Sequence, residues 1–136
     1  MAKTTFKALN HCVYKIRYHL VMVTKYRNSV ITEDILNRLR ELTKNRIEEW
    51  GGELYEMNGE PDHVHILFDL PPNRAVADFV NALKTGTSRR IRNEYSQHVS
   101  SHYWKPVFWS RSYCVVTAGG APLDTIKKYI QNQKGV

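Results

Sequence analysis

The hydrophobic period of this chain changes in an order that few folds accommodate. In "VYKIRYHLVMVTKY" residues alternate: Tyr14, Ile16, Tyr18, Leu20 and Met22 fall on one side, and Lys15, Arg17 and His19, followed by Val21 and Val23, on the other. That is the period of a strand. "TEDILNRLRELTKNRIEEWGG" then shifts to helical spacing, with Thr32 as N-cap, acids in the first turn, an apolar stripe of Ile35, Leu36, Leu39, Leu42, Ile47 and Trp50, and Gly51-Gly52 as the stop. "ELYEMNGEPDHVHILFDL" returns to period two and predicts two strands around a turn marked by Asn58-Gly59 and Pro61. From Ala75 to about Val99 the helical period resumes, through Val76, Phe79, Val80, Leu83, Thr87, Ile91 and Tyr95, with Gly86 as a bend or a point of close packing. An irregular aromatic segment leads to a short strand at Tyr113 to Thr117, and "PLDTIKKYIQNQK" predicts a last helix.

Strand, helix, strand, strand, helix, strand is the order of a split βαβ unit. The prediction is therefore an α+β fold, ferredoxin-like or RRM-like, with an antiparallel sheet, helices on one face and one further C-terminal helix. At 136 residues the chain suits one domain spanning 1–136, and no repeat or linker divides it.

Charge narrows the partners. Lys and Arg total 20 against 13 Asp and Glu, a formal charge of +7, which favours polyanions and above all nucleic acid. A merely soluble basic protein would carry the same excess. Cys12 and Cys114 form no C-x-x-C pair, which argues against a zinc knuckle, a thioredoxin-like centre and a disulfide framework. The N-terminus has no apolar signal region and no run reaches membrane-spanning length, so a cytoplasmic location and no membrane partner are expected.

Within "PDHVHILFDL", Val64, Ile66, Phe68 and Leu70 share one side of the second hairpin strand, and His63, His65, Leu67 and Asp69 the other. Two histidines at i and i+2 have Cα atoms about 6.5–7 Å apart and can lean onto one divalent ion. Two half-exposed histidines on an open sheet face would give the same pattern. A histidine-triad hydrolase would place a third histidine at position 67, which is Leu, and His19 alone of the other histidines is predicted on this face. On the last helix Tyr129 and Gln133 are i and i+4 and so neighbour each other. Such a tyrosine packs into a core in many helices. As a nucleophile, its phenol of pKa about 10 is usable against a phosphodiester whose charge a metal neutralises, with Gln133 as an oxygen ligand.

"HVH" with "IKKYIQNQ" downstream resembles the site of single-tyrosine HUH endonucleases. "RYHLVMVTKYR", "EPDHVHILFDL", "FVNALKTGTSRRIR", "FWSRSYCVVTAGG" and "IKKYIQNQ" are similar, in the same order, to segments of the short transposases of the 200/605 class of insertion sequences. The resemblance covers nearly the whole chain. It implies an RRM-like homodimer that cuts and rejoins single-stranded DNA at ends marked by imperfect hairpins, with each active site shared between subunits. It implies His63, His65 and Gln133 as ligands of Mg²⁺ or Mn²⁺, and Tyr129 as the nucleophile that becomes joined to a DNA 5′-phosphate. Imidazole suits Mn²⁺ better than Mg²⁺. Two alternatives stay open: a domesticated relative of the repeat-associated tyrosine transposases, and a non-catalytic RRM-like binder of single strands. The two histidines and the acid on the open face count against the latter.

Arg17 and His19, with Lys15, share the predicted face of the histidine pair. Together with Lys25, Arg27, Lys84, Arg89, Arg90 and Arg92 they are candidate phosphate contacts, or else a solvated basic surface. Trp104 and Trp109 are candidates for base stacking, or for packing.

Overall fold

The computed structural model describes residues 6–117. Its elements are β1 (Lys7–Leu9), β2 (Cys12–Tyr14), β3 (Arg17–Thr24), α1 (Glu33–Glu49), β4 (Leu54–Glu60), β5 (His63–Asp69), α2 (Val76–Glu94), α3 (Ser96–Ser100) and β6 (Trp109–Thr117). β1 and β2 form a small hairpin, and the other four strands form an antiparallel sheet in the order β4-β5-β3-β6. β3, α1, β4, β5, α2 and β6 thus realise the split βαβ arrangement that the sequence predicts.

One face of that sheet is the core. Leu20 and Met22 of β3 and Val64, Ile66 and Phe68 of β5 are at most 1% exposed. They pack with Ile35, Leu39 and Ile47 of α1 and Phe79, Val80, Leu83 and Ile91 of α2. Each such side chain contributes about 1.5–3 kcal/mol by leaving water. α1 starts as expected, with the Thr32 hydroxyl accepting from the Ile35 amide at 3.2 Å, and it stops at Gly51 with φ +85°.

Four boundaries differ from the sequence expectation. The long first strand is divided, because Cys12–Tyr14 pairs with Lys7–Leu9 and only Arg17–Thr24 enters the main sheet. Alternation reports facing, not partner, so the break at Lys15-Ile16 leaves no trace in the pattern.

Of the predicted turn markers, Pro61 holds, since the hairpin turns at Pro61-Asp62, whereas Asn58-Gly59 continues β4. Gly59 lies within β4 because nothing larger fits. A Cβ there would stand 2.9 Å from Leu36 Cδ1 and 3.0 Å from Val64 Cγ1.

The second helix ends at Glu94, and Tyr95 at φ −124°, ψ 42° leads into α3. Its apolar stripe still runs to Val99, which α3 buries in the same core. β6 begins at Trp109, four residues before the expected Tyr113. Trp109 pairs with Thr24 across a bulge, and its indole N–H donates to the Thr87 hydroxyl at 2.9 Å. Gly86 continues α2 without a break, and a Cβ there would meet only the flexible end of the Arg46 side chain. The predicted C-terminal helix, with Tyr129 and Gln133, lies outside the described residues.

Candidate active site

Strand pairing settles which side chains share the open face. In β3 and β5, Val23 stands opposite His63, Val21 opposite His65, His19 opposite Leu67 and Arg17 opposite Asp69. Directly paired residues point to the same side, so Arg17 and His19 do share the histidine face. The burial of Val64, Ile66 and Phe68 fixes that face as the one away from α1 and α2. Beside the histidines this face is apolar: Val21 and Val23 are 3% and 1% exposed and pack with Cys114 and Val116 of β6.

The two imidazole rings have centroids 6.1 Å apart at an interplanar angle of 31°. His63 begins β5 directly after the two-residue turn, and the turn orients it. Its Nδ1 lies 2.8 Å from Asp62 Oδ1. Arg27 reaches the other carboxylate oxygen twice, through Nε at 3.2 Å and Nη2 at 3.0 Å.

Arg27 reaches back because the chain after β3 turns through left-handed conformations at Tyr26 (φ 60°) and Arg27 (φ 55°), a geometry disfavoured for residues other than glycine. The turn is held by its backbone as well: the Thr24 amide donates to the Asp62 carbonyl at 3.0 Å and the Ile31 amide to the Pro61 carbonyl at 2.9 Å. Partial burial of the Asp62 carboxyl opposes ionisation, but the hydrogen bond from His63 and the Arg27 pair outweigh it and hold the group below the usual carboxylate range.

This arrangement has the form of a supported metal ligand. With Nδ1 donating to a carboxylate, the His63 ring is held in one orientation and Nε2 carries the lone pair outward. Two imidazoles at adjacent positions on one ion, each at about 2.1 Å, have centroids about 5 Å apart, so rings 6.1 Å apart share a divalent ion once they lean about 1 Å closer. Among the described residues no group of three or more His, Cys, Asp and Glu side chains converges on one point. From this part of the chain the pair alone is offered. A shallow cleft of about 30 Å³ beside it is lined by His19, Glu56 and His65. Sequence reasoning missed the roles of Asp62, Arg27 and Glu56. The acid immediately before "HVH" was the available signal for Asp62; pairing across β4 and β5 placed Glu56, and nothing local marked it.

The other predicted residues separate into groups. Arg17 stacks over the Tyr55 ring, 4.3 Å from its centroid, at the opposite end of the strand from His63. Lys25 sits over the Tyr26 ring at 5.3 Å. Lys84, Arg89 and Arg92 line one cleft, whereas Arg90 lines another and pairs with Glu94. Trp104 is 88% exposed and Trp109 is 7% exposed, so the packing reading holds for Trp109. Tyr129 and Gln133 lie outside the described residues.

Comparison with known proteins identifies the family. Residues 12–133 match the family model described as "Transposase IS200 like". The ISDra2 transposase TnpA of Deinococcus radiodurans is 35% identical over 121 residues, 89% of this chain and 86% of that one. The transposase for insertion sequence element IS200 of Salmonella typhimurium is 27% identical over 127 residues, 93% of this chain and 82% of that one. Among solved structures, that of a transposase candidate from Deinococcus radiodurans superposes with a TM-score of 0.85 at 33% identity, covering 96% of this chain and 99% of the other. A REP-associated tyrosine transposase bound to a REP hairpin shares the fold, with a TM-score of 0.52 at 10% identity over 83% of this chain and 61% of the other.

Proposed function

The chain belongs to the IS200-like transposase family and is a DNA transposase, and from that premise we propose that it cuts and rejoins single-stranded DNA at hairpin-marked ends with Tyr129 as nucleophile. The observation that carries the reading is the histidine pair. His63 and His65 stand side by side on the open sheet face, with His63 oriented by Asp62, inside a segment matched to the family from residue 12 to 133.

His63, His65 and Gln133 hold the ion, Mn²⁺ or Mg²⁺. When bound, it supplies Lewis-acid neutralisation of the charge that develops on a phosphate. Asp62 and Arg27 keep the His63 ring in position. The Tyr129 hydroxyl attacks the scissile phosphorus; the new bond is Tyr129 Oη–P, the bond broken is P–O3′, the phenol gives up its proton, and the departing 3′-oxygen takes one up. The 5′-phosphotyrosine conserves the energy of the diester, so attack by another 3′-hydroxyl reverses the step and joins strands without a nucleotide cofactor. Two subunits share their sites, the tyrosine of one serving the histidine pair of the other.

The experiment is a denaturing gel of the protein with end-labelled, hairpin-bearing single-stranded DNA and Mn²⁺. A covalent adduct is expected, absent with chelator and absent for Tyr129→Phe. An adduct that survives Tyr129→Phe removes the tyrosine from the reaction. His63→Ala is expected to abolish the adduct while hairpin binding in a mobility-shift assay persists.

A further inference from the structure

A cleft away from the histidine pair lies between the C-terminal half of α2 and the chain from Tyr103 to Arg111. One part, of about 310 Å³, is lined by Lys84, Ser88, Arg89, Arg92, Trp109 and Arg111 among others. A second part, of about 270 Å³, shares Arg92 and Pro106 with the first and continues past Tyr103, Trp104 and Lys105. Neither part is lined by an acid. We propose that this continuous groove is a contact surface for single-stranded DNA, with the sugar-phosphate backbone lying along Lys84, Arg89, Arg92 and Arg111 and an unpaired base stacked on Trp104. The inference rests on the transposase reading above and gives it a second surface.

Charge placement is the first argument. Several basic side chains elsewhere in the described residues meet an acid: Arg38 and Arg90 share Glu94, Arg46 meets Glu49, Arg27 holds Asp62, and Lys7 meets Glu53 and Asp69. The four groove cations have no ion-pair partner among the described residues. Arg92 donates to the Ser88 hydroxyl at 3.1 Å, and Lys84 to the Arg111 carbonyl at 3.0 Å, while Lys84 also lies 5.5 Å over the Tyr113 ring. Burial, with Lys25 nearby, pushes the Lys84 ammonium below its ordinary value. Gathering like charges without counter-charge is unfavourable alone and becomes favourable when a polyanion displaces counterions from itself.

Aromatic placement is the second argument. Trp104 is 88% exposed and Lys105 Nζ sits 5.4 Å from its centroid. The Tyr26 ring, on a residue 48% exposed, also lies beside that lysine, with its centroid 5.7 Å from Nζ. A flat aromatic surface beside cations is the combination that takes an unpaired base.

Position is the third. Trp109, at the start of β6, pairs with Thr24, and His63 pairs with Val23. The groove therefore meets the sheet at the same end as the histidine pair, two strand spacings or about 10 Å from it. The groove lies on the α2 side of the sheet and the pair on the opposite side, so a DNA strand leaving the groove rounds the edge of β6 to reach the pair.

The test is fluorescence anisotropy of labelled single-stranded DNA bound by the full chain without metal, over a range of salt. Arg89→Ala combined with Arg111→Ala is expected to weaken binding and to lower the slope of log K against log salt by about 1.4, roughly 0.7 for each lost phosphate contact. Trp104→Ala is expected to weaken binding about tenfold without changing the slope, and Trp104→Phe to restore it. Trp104 emission is expected to be quenched by DNA, and that quenching to vanish in the Phe variant. Arg90→Ala, paired with Glu94 in a different cleft, is the control and is expected to move neither quantity. Wild-type affinity and slope in the double arginine variant overturn the groove, as does unchanged affinity in Trp104→Ala. Groove variants that stay silent while the Tyr129 adduct forms sink this inference alone. Groove variants that behave as expected while no adduct forms sustain it and sink the cleavage reaction.

Discussion

Asp62→Ala separates a metal ligand's support from a simple turn staple. The carboxylate accepts from His63 Nδ1 at 2.8 Å and from Arg27 at 3.0 and 3.2 Å. The side chains of Asp62, Arg27 and His63 are 24%, 27% and 17% exposed, which places the group between a buried network and a surface pair. Charge-assisted hydrogen bonds inside proteins contribute about 1.5–3 kcal/mol each, and fully exposed ion pairs under about 1 kcal/mol. Discounted for that exposure, the whole cluster stabilises the fold by about 1–2 kcal/mol. With an m-value of about 1–3 kcal/mol per molar urea, the variant's midpoint falls by roughly 1 M.

The metal readout is independent of that loss. Removing the partner of a ligating histidine costs about 10- to 100-fold in metal affinity, because the ring loses its fixed tautomer and orientation. Calorimetric titration of Mn²⁺ into folded protein measures it. Asp62→Asn keeps an acceptor for His63 but not the charge facing Arg27, so it is expected to lose the stability yet hold most of the affinity. If Asp62→Ala binds Mn²⁺ within twofold of wild type while its midpoint drops, the carboxylate only staples the turn. A wild-type chain that takes up no Mn²⁺ at millimolar concentration ends the metal reading itself.

Three further outcomes follow from the packing. Tyr103→Phe loses the hydrogen bond from its hydroxyl to the Lys25 carbonyl at 2.8 Å and is expected to cost about 1 kcal/mol at pH 7 in urea unfolding. Burial pushes the Tyr103 phenol up to about 12, so the unfolded chain releases this proton first; wild-type stability falls as pH rises from about 10 to about 12, and the gap to the Phe variant narrows over that window. Gly59→Val is expected to cost about 1–3 kcal/mol by urea unfolding, since its Cβ would press on Leu36, Val64 and, at 3.2 Å, the His63 carbonyl. Gly52→Ala is expected to yield no soluble folded protein on expression, because its Cβ would run into the Asp69 backbone carbonyl, which has no side-chain freedom to yield.

What the sequence revealed divides along physical lines. Facing was legible wherever one side of a strand is buried: Val64, Ile66 and Phe68 announced the core side of β5, and with it the side of His63 and His65. The helix start at Thr32 was legible because a cap is a local hydrogen bond. The turn was legible at Pro61 and misread at Asn58-Gly59, which is a turn signal only when no neighbour needs the glycine's missing side chain, and Leu36 from α1 does. Pairing partners are likewise non-local. Nothing in "CVYKIRY" says that Tyr14 joins Lys7 in one sheet while Tyr18 joins Phe68 in another. The support of His63 rests on the Arg27–Asp62 pair, which spans 35 residues and depends on two left-handed residues that no pattern marks.

The direction of the histidine pair is a consequence of the core, and its separation from the other end of the face is a consequence of charge. A one-residue slip of β5 against β3 would turn His63 and His65 towards α1 and α2 and bring Val64, Ile66 and Phe68 out to water. The apolar burial that forbids the slip is therefore what presents the imidazoles. Four positions of β5 share their face, yet they differ. Asp69, 3% exposed, is sealed by the Tyr55 hydroxyl at 2.6 Å, the Glu53 amide at 2.8 Å and Lys7 at 2.7 Å. Those donors use the carboxylate to pin the β1–β2 hairpin onto the sheet. Arg17, opposite Asp69 and stacked on Tyr55, belongs to that lock. It lies six residues, about 20 Å, along the strands from His63. A phosphate held by the histidine pair is beyond its reach. Arg17→Ala is therefore expected to lower the unfolding midpoint while leaving the Mn²⁺ affinity unchanged, and a metal affinity that falls with it would mean the two ends of the face act together.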